Sequence, residues 1–180
     1  MLEDVKSVDS DHYRPTQQEI QGRPRMRVSL VCENLRSLYN VGAIFRTADA
    51  VLVEKIYLTG LTGTPPSSRI QKTALGATEV VPWEYRAEAL DCVTELKRLG
   101  YAVVALERTK DSKTSWDTQF DYPLCLVVGN EITGVSPELL ALADYAVELP
   151  MLGRAVSLNV ATACGVALYE LARQWKARLS

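Results

Sequence analysis

Five consecutive apolar residues, Leu124, Cys125, Leu126, Val127 and Val128, constrain this chain more than any other feature. A β-strand sends successive side chains to opposite faces, so an unbroken apolar run needs cover on both sides. "YPLCLVVGN" (122–130) is therefore predicted to be a strand buried between two layers. "MRVSLVCE", "KIYLTG" and "GYAVVALER" read as further strands, and "YAVELP" as a short fifth. Helical patterns lie between them: "VGAIFRTADAVL", "AEALDCVTELKRLG" closed by Gly100, "SPELLALA" with Ser136 and Pro137 at its start, and "LNVATACGVALYELARQW". This alternation predicts an α/β fold whose mostly parallel sheet is covered by helices on both faces. Ligands in such sheets bind outside the carboxyl ends of the strands, so the residues just after each strand come first as site candidates.

The chain has 180 residues, enough for one domain. We place that domain at residues 27–180, behind a polar leader at 1–26. "GLTGTPPSSR" (60–69) is the one long turn-rich segment and reads as a candidate mobile loop. No apolar run reaches about 18 residues, so no membrane-spanning helix is expected, and the acidic start of the leader is unlike a secretory signal. Cys32, Cys92, Cys125 and Cys164 form no CxxC pair and read as buried free thiols of a cytoplasmic protein. His12 is the only histidine, so no metal site is expected. A net charge of −2 argues against a general nucleic-acid coat. "RPRMR" (Arg23, Arg25, Arg27) and "RQWKAR" (Arg173, Lys176, Arg178) are local basic clusters, read either as RNA contacts or as solvated surface charge.

Three segments carry candidate chemistry. On a helical wheel, Val41, Ile44, Phe45, Ala48 and Leu52 form a core stripe, and Arg46 falls opposite, beside Gly42, Ala43 and Ala50. Small residues around an arginine suggest that a partner chain or ligand packs close there; a surface salt bridge is the plainer reading. Asn40 suits the N-cap of this helix. After the strongest strand come Gly129, Asn130 and Glu131, which suit a sharp turn or the close approach of a ligand. In "LPMLGRAVSLNVATACGVALYE", Ser157 is placed to cap the last helix, with Asn159 in its first turn. The first turns of that helix are almost all small (Ala161, Thr162, Ala163, Cys164, Gly165 and Ala167), which lets another helix or another stretch of the chain lie close.

Together "NVGAIFRTADA" (40–50), "LVVGNEITGV" (126–135) and "VELPMLGRAVSLNVATACGVALYE" (147–170) resemble the three motifs of the SpoU, or TrmH, family of RNA 2′-O-ribose methyltransferases. "KTALGATEVVPW" (72–83) is also similar to the family, and the likeness runs over roughly residues 27 to 175. Leu149 stands where the family usually has isoleucine. No GxGxxG follows the first strand, where "ENLRSLYNVG" stands instead, which argues against a nicotinamide or flavin enzyme.

The resemblance implies a SPOUT fold with a C-terminal deep trefoil knot, a homodimer with the active site near its interface, and S-adenosyl-L-methionine as cofactor. It implies methyl transfer to a ribose 2′-hydroxyl of tRNA or rRNA. RNA is the expected partner, with neither DNA nor a membrane. Arg46, Asn40, Glu131, Ser157 and Asn159 become the expected catalytic and substrate-positioning set, with Gly42, Ala43 and Ala50 making room for the second subunit and RNA around Arg46. Leu106, Glu107, Gly129, Leu149, Met151 and Leu158 become the expected cofactor contacts, mostly through backbone. A catalytically silent RNA-binding protein on the same scaffold, or a base methyltransferase, is the rival reading.

Overall fold

The structure is a computed structural model that describes residues 16–179; His12 and the acidic start of the leader lie outside them. Seven strands form one sheet: β1 (Met26–Glu33), β2 (Val53–Thr59), β3 (Trp83–Arg86), β4 (Ala102–Leu106), β5 (Lys113–Thr114), β6 (Leu124–Val128) and β7 (Tyr145–Glu148). Their order across the sheet is β3-β2-β1-β6-β4-β7-β5, and every pairing is parallel. The helices are α1 (Gln17–Gln21), α2 (Leu38–Ala50), α3 (Ser68–Ala74), α4 (Ala89–Arg98), α5 (Pro137–Leu142) and α6 (Val160–Leu179).

The apolar run Leu124–Val128 forms β6, the sheet's middle strand, and all five of its residues are buried. Its side chains divide by the period of two. Leu124, Leu126 and Val128 join one cluster with Val41, Ile44, Phe45, Leu168 and Leu171 of α2 and α6. Cys125 and Val127 join the other with Cys92, Val93, Leu96 and Leu139 of α4 and α5. Burying each such large side chain contributes about 1.5–3 kcal/mol, so the helical cover on both faces is what holds this strand as a strand.

The order of the strands places the site. The chain winds outward from β1 to β3, then crosses to β4 and β5 before β6 inserts beside β1. Such a reversal leaves a crevice at the carboxyl edge between neighbouring connections. Helix α6 returns across the face to pack on α2; a Cβ added at Gly165 would lie 3.6 Å from Thr47 Cγ2, an ordinary contact. The small residues of α6 thus serve a close crossing within this chain.

Several local expectations change. Helix α2 begins at Leu38, with Ser37 as its N-cap accepting the Asn40 amide at 3.3 Å, so Asn40 lies inside the helix. Helix α6 begins at Val160, so Ser157 stands three residues ahead of it and the cap is Asn159, whose Oδ1 accepts the amides of Ala161 (2.9 Å) and Thr162 (3.4 Å). The turn-rich segment is fastened at its start: Leu61 N–H donates to Asn34 Oδ1 at 2.8 Å, and Thr62 Oγ1 bonds Leu35 N–H and Cys32 C=O. Its end is already α3. Gly42 is buried against α3, where a Cβ would fall 2.1 Å from Thr73 Oγ1, so this glycine makes room for the chain's own helix and for no second subunit.

Candidate active site

Strands β6, β4 and β7 end side by side. Val128, Leu106 and Val147 floor a cavity of about 280 Å³ there. Its walls are the loop after β6, the segment from Leu149 to Leu158, and Val160 and Ala163 of α6. Leu106, Glu107, Gly129, Leu149, Met151 and Leu158, the six residues expected to hold the cofactor, all line it, and so do Glu131 and Ser157.

The loop after β6 is held from several sides. Asn130 and Gly134 exchange backbone hydrogen bonds of 3.0 and 2.9 Å. A Cβ at Gly129 would sit 2.2 Å from the Gly134 carbonyl carbon, so Gly129 permits a turn of the chain onto itself. Asn130 Oδ1 accepts the Ile132 and Thr133 amides, and its Nδ2 donates to the Asn34 carbonyl at 2.7 Å. Glu107 Oε2 accepts the Val135 amide at 3.1 Å, and the buried Glu33 accepts the Ser136 amide at 2.9 Å. Glu33, Asn34 and Asn130, none of them expected as a site residue, are the anchors of this loop. Glu33 carried a usable signal: a carboxylate ending an apolar strand must find donors or remain costly.

This fixed loop presents Glu131 to the start of α2. Oε2 accepts the Arg36 amide at 2.9 Å; Oε1 accepts the Ser37 amide at 3.0 Å and the Asn40 side chain at 2.9 Å. A carboxylate at a helix N-terminus meets donors and the positive end of the dipole together. Partial burial opposes the charge, but the bonds from Arg36, Asn40 and Ser37 outweigh it and hold the Glu131 pKa below the usual carboxylate value. Asn40 Oδ1 in turn accepts from Asn159 Nδ2 at 3.1 Å. Glu131, Asn40 and Asn159 thus form one chain of hydrogen bonds joining all three sequence motifs.

Residues 27–169 match the SpoU rRNA Methylase family. The chain belongs to that family. The tRNA (guanosine(18)-2′-O)-methyltransferase of Aquifex aeolicus is 36% identical over 142 residues, covering 79% of this chain and 67% of the relative. The crystal structure of the A. aeolicus TrmH/SpoU tRNA modifying enzyme superposes with a TM-score of 0.81 at 32% identity, covering 90% of this chain and 82% of that one. The SpoU methyltransferase AviRb from Streptomyces viridochromogenes, in complex with AdoMet, superposes with a TM-score of 0.77 at 25% identity, over 87% of this chain and 63% of its own.

Two of the expected catalytic residues of this SpoU methylase stand apart from the network. Ser157 is exposed on the cavity's wall. Arg46 is exposed on α2, about 9 Å further along the helix axis than Asn40, and has no hydrogen-bond or ion-pair partner among the described residues. Asn40 and Asn159 open instead onto a broad groove between α2 and α6, where Trp116 (62% exposed) and Tyr169 (59%) are uncovered. The basic clusters are partly engaged within the chain: Arg25 donates to the Val53 and Val80 carbonyls, Arg173 pairs with Glu170, and Arg178 donates to the Phe120 carbonyl. Among the described residues no helix is long and apolar enough to cross a membrane.

Proposed function

We propose that this SpoU methylase transfers the methyl group of S-adenosyl-L-methionine to a ribose 2′-hydroxyl of tRNA or rRNA. The observation that carries this reading is the cavity at the carboxyl edge, which is lined by every expected cofactor contact and lies against the Glu131–Asn40–Asn159 network. The residues present fit the cofactor. Leu106, Val128, Val147 and Val160 offer an apolar floor to an adenine ring, and Glu107 and Glu148 offer negative charge to a cationic molecule. When bound, S-adenosyl-L-methionine supplies an activated methyl on a sulfonium.

The chain's own part is position and electrostatics. Glu131 already accepts three donors, so it acts as an anchor that sets the start of α2 and the orientation of Asn40. Asn40 and Asn159 hold the corner where the ribose enters. A guanidinium is a poor base, so Arg46 has a different part. It orients the 2′-hydroxyl or its phosphate and stabilises the developing alkoxide. Because Arg46 faces solvent beside the α2–α6 groove, the site is completed by a homodimer in which that groove, with Trp116 and Tyr169, is covered by a second copy. The deep trefoil knot belongs to the same reading, as does a cytoplasmic location, which suits four free, buried thiols. The polar side chains of all three motifs are present, which favours the enzyme over the catalytically silent scaffold.

The deciding experiment incubates the protein with tRNA, rRNA and methyl-labelled S-adenosyl-L-methionine, then digests the RNA to nucleosides. Label in 2′-O-methylnucleosides is expected. Label only in methylated bases, or none in either RNA, overturns the proposal.

A further inference from the structure

We propose that the Glu107 side chain receives the ribose hydroxyls of the nucleoside held in the carboxyl-edge cavity, so that the site selects a cofactor with an intact 2′,3′-diol. The inference rests on the S-adenosyl-L-methionine reading and goes beyond the backbone contact expected at this position.

Three carboxylates line the cavity. Glu131 is committed to the start of α2. Glu148 Oε2 accepts the Ser112 hydroxyl at 2.9 Å and stands 3.9 Å from Arg108 Nε. Glu107 differs from both. It has no ion pair among the described residues, and its two oxygens are fixed by backbone amides alone: Oε1 by Arg108 at 2.9 Å and Oε2 by Val135 at 3.1 Å. A carboxylate has about four lone-pair sites, so the two bonds fix its plane and leave about half its capacity open. The half-buried setting makes further donors favourable. The space beside it is reserved: Gly134 has φ +71°, and a Cβ there would lie 2.3 Å from Glu107 Oε2.

A nucleoside offers few groups that suit a rigid, uncompensated carboxylate. The vicinal diol of the ribose is one, since its two O–H groups can donate side by side. Parallel sheets that bind nucleotides use an acidic side chain on the ribose in the same way. Glu107 follows the last residue of β4, whose Leu106 helps floor the cavity, so a nucleoside lying on that floor brings its sugar to the strand ends.

Calorimetry with S-adenosylhomocysteine and its 2′-deoxy and 3′-deoxyribose analogues tests this on the intact chain and on Glu107→Gln, whose remaining carbonyl oxygen still accepts an amide. The natural protein should bind S-adenosylhomocysteine about tenfold tighter than at least one deoxy analogue. Glu107→Gln should lose about tenfold for S-adenosylhomocysteine and less than about twofold for that analogue. Equal losses for both ligands would make Glu107 a loop anchor only and overturn the proposal, as would equal binding of all three ligands by the natural protein. Should Glu107→Gln fail to fold, the natural protein's preference among the three ligands decides alone. Failure of the natural protein to bind any of them overturns the cofactor reading together with this one, whereas binding without diol preference overturns only this one.

Discussion

Asn40 Nδ2 donates to Glu131 Oε1 at 2.9 Å, across 91 residues of sequence. The bond fastens the first turn of α2 to the tip of the loop after β6. Asn40 uses its other atom to accept from Asn159, so one amide aligns both partners. Asn40→Ala removes both bonds while leaving Glu131 its two backbone donors. Unfolding in urea should show a loss of about 1–3 kcal/mol, the size of two net hydrogen bonds. Methyl transfer under single-turnover conditions should fall by about 100-fold, because the network positions the reacting corner. A large stability loss with little change in rate would make the network purely structural.

The same bonds give a pH dependence. The folded pKa of Glu131 lies below its unfolded value, despite burial, because of the donors from Arg36, Asn40 and Ser37. The stability it contributes is therefore complete above about pH 4.3, the ordinary glutamate value, and is lost as pH falls through the lower folded pKa. A carbon-detected NMR titration should place the Glu131 midpoint below those of exposed glutamates. In Asn40→Ala that midpoint should move upward.

Arg46 has no hydrogen-bond or ion-pair partner among the described residues, so truncating it should leave the fold alone. Arg46→Ala is expected to change stability by no more than about 0.5 kcal/mol. Methylation of RNA should fall to background while S-adenosyl-L-methionine binding, followed by calorimetry, is kept. Loss of both together would identify a structural arginine.

Gly42 marks a close contact of α2 with α3. A Cβ there would lie 2.1 Å from Thr73 Oγ1 and 2.3 Å from the Ile70 carbonyl oxygen. The threonine can turn away, but the backbone carbonyl cannot. Gly42→Ala should therefore destabilise by about 2–3 kcal/mol, against the gain in helix propensity that alanine otherwise brings. Thermal unfolding measures it.

The thiols should be silent in the folded protein. Burial pushes Cys92 up to about 11 and Cys164 up to about 12, and raises Cys32 and Cys125 as well. Thiolate is the reactive form, so a disulfide reagent at pH 8 should find no fast-reacting cysteine in the native protein and four in guanidinium. Rapid reaction of any one would show that its cover opens.

The candidate site was legible in residue types more than in placement. Asn40, Glu131 and Asn159 could be picked out because the three segments that hold them resemble the SpoU motifs; each taken alone also suits a cap or a plain turn. Their partners could not be. Ser37 and Asn40 are both good caps, and the sequence offers no local reason to choose. The structure gives Ser37 the cap because Asn40 is needed by Glu131 and Asn159. Strand β3 escaped notice because "WEYR" alternates over only four residues, none of them buried, and this edge strand exists by pairing with β2. Helix α3 is short, and only Ile70 and Ala74 of its seven residues are buried.

By itself the sequence determined the layered α/β character, since apolar periodicity of two and of 3.6 is a local property that solvent exclusion reads directly. It also determined which side chains had chemistry to offer. Only the tertiary structure decided the strand order, the caps, and the meeting of the three motifs at one carboxyl edge. Those depend on hydrogen bonds and packing between residues far apart in the chain, whose energies have no signature in any short window of it.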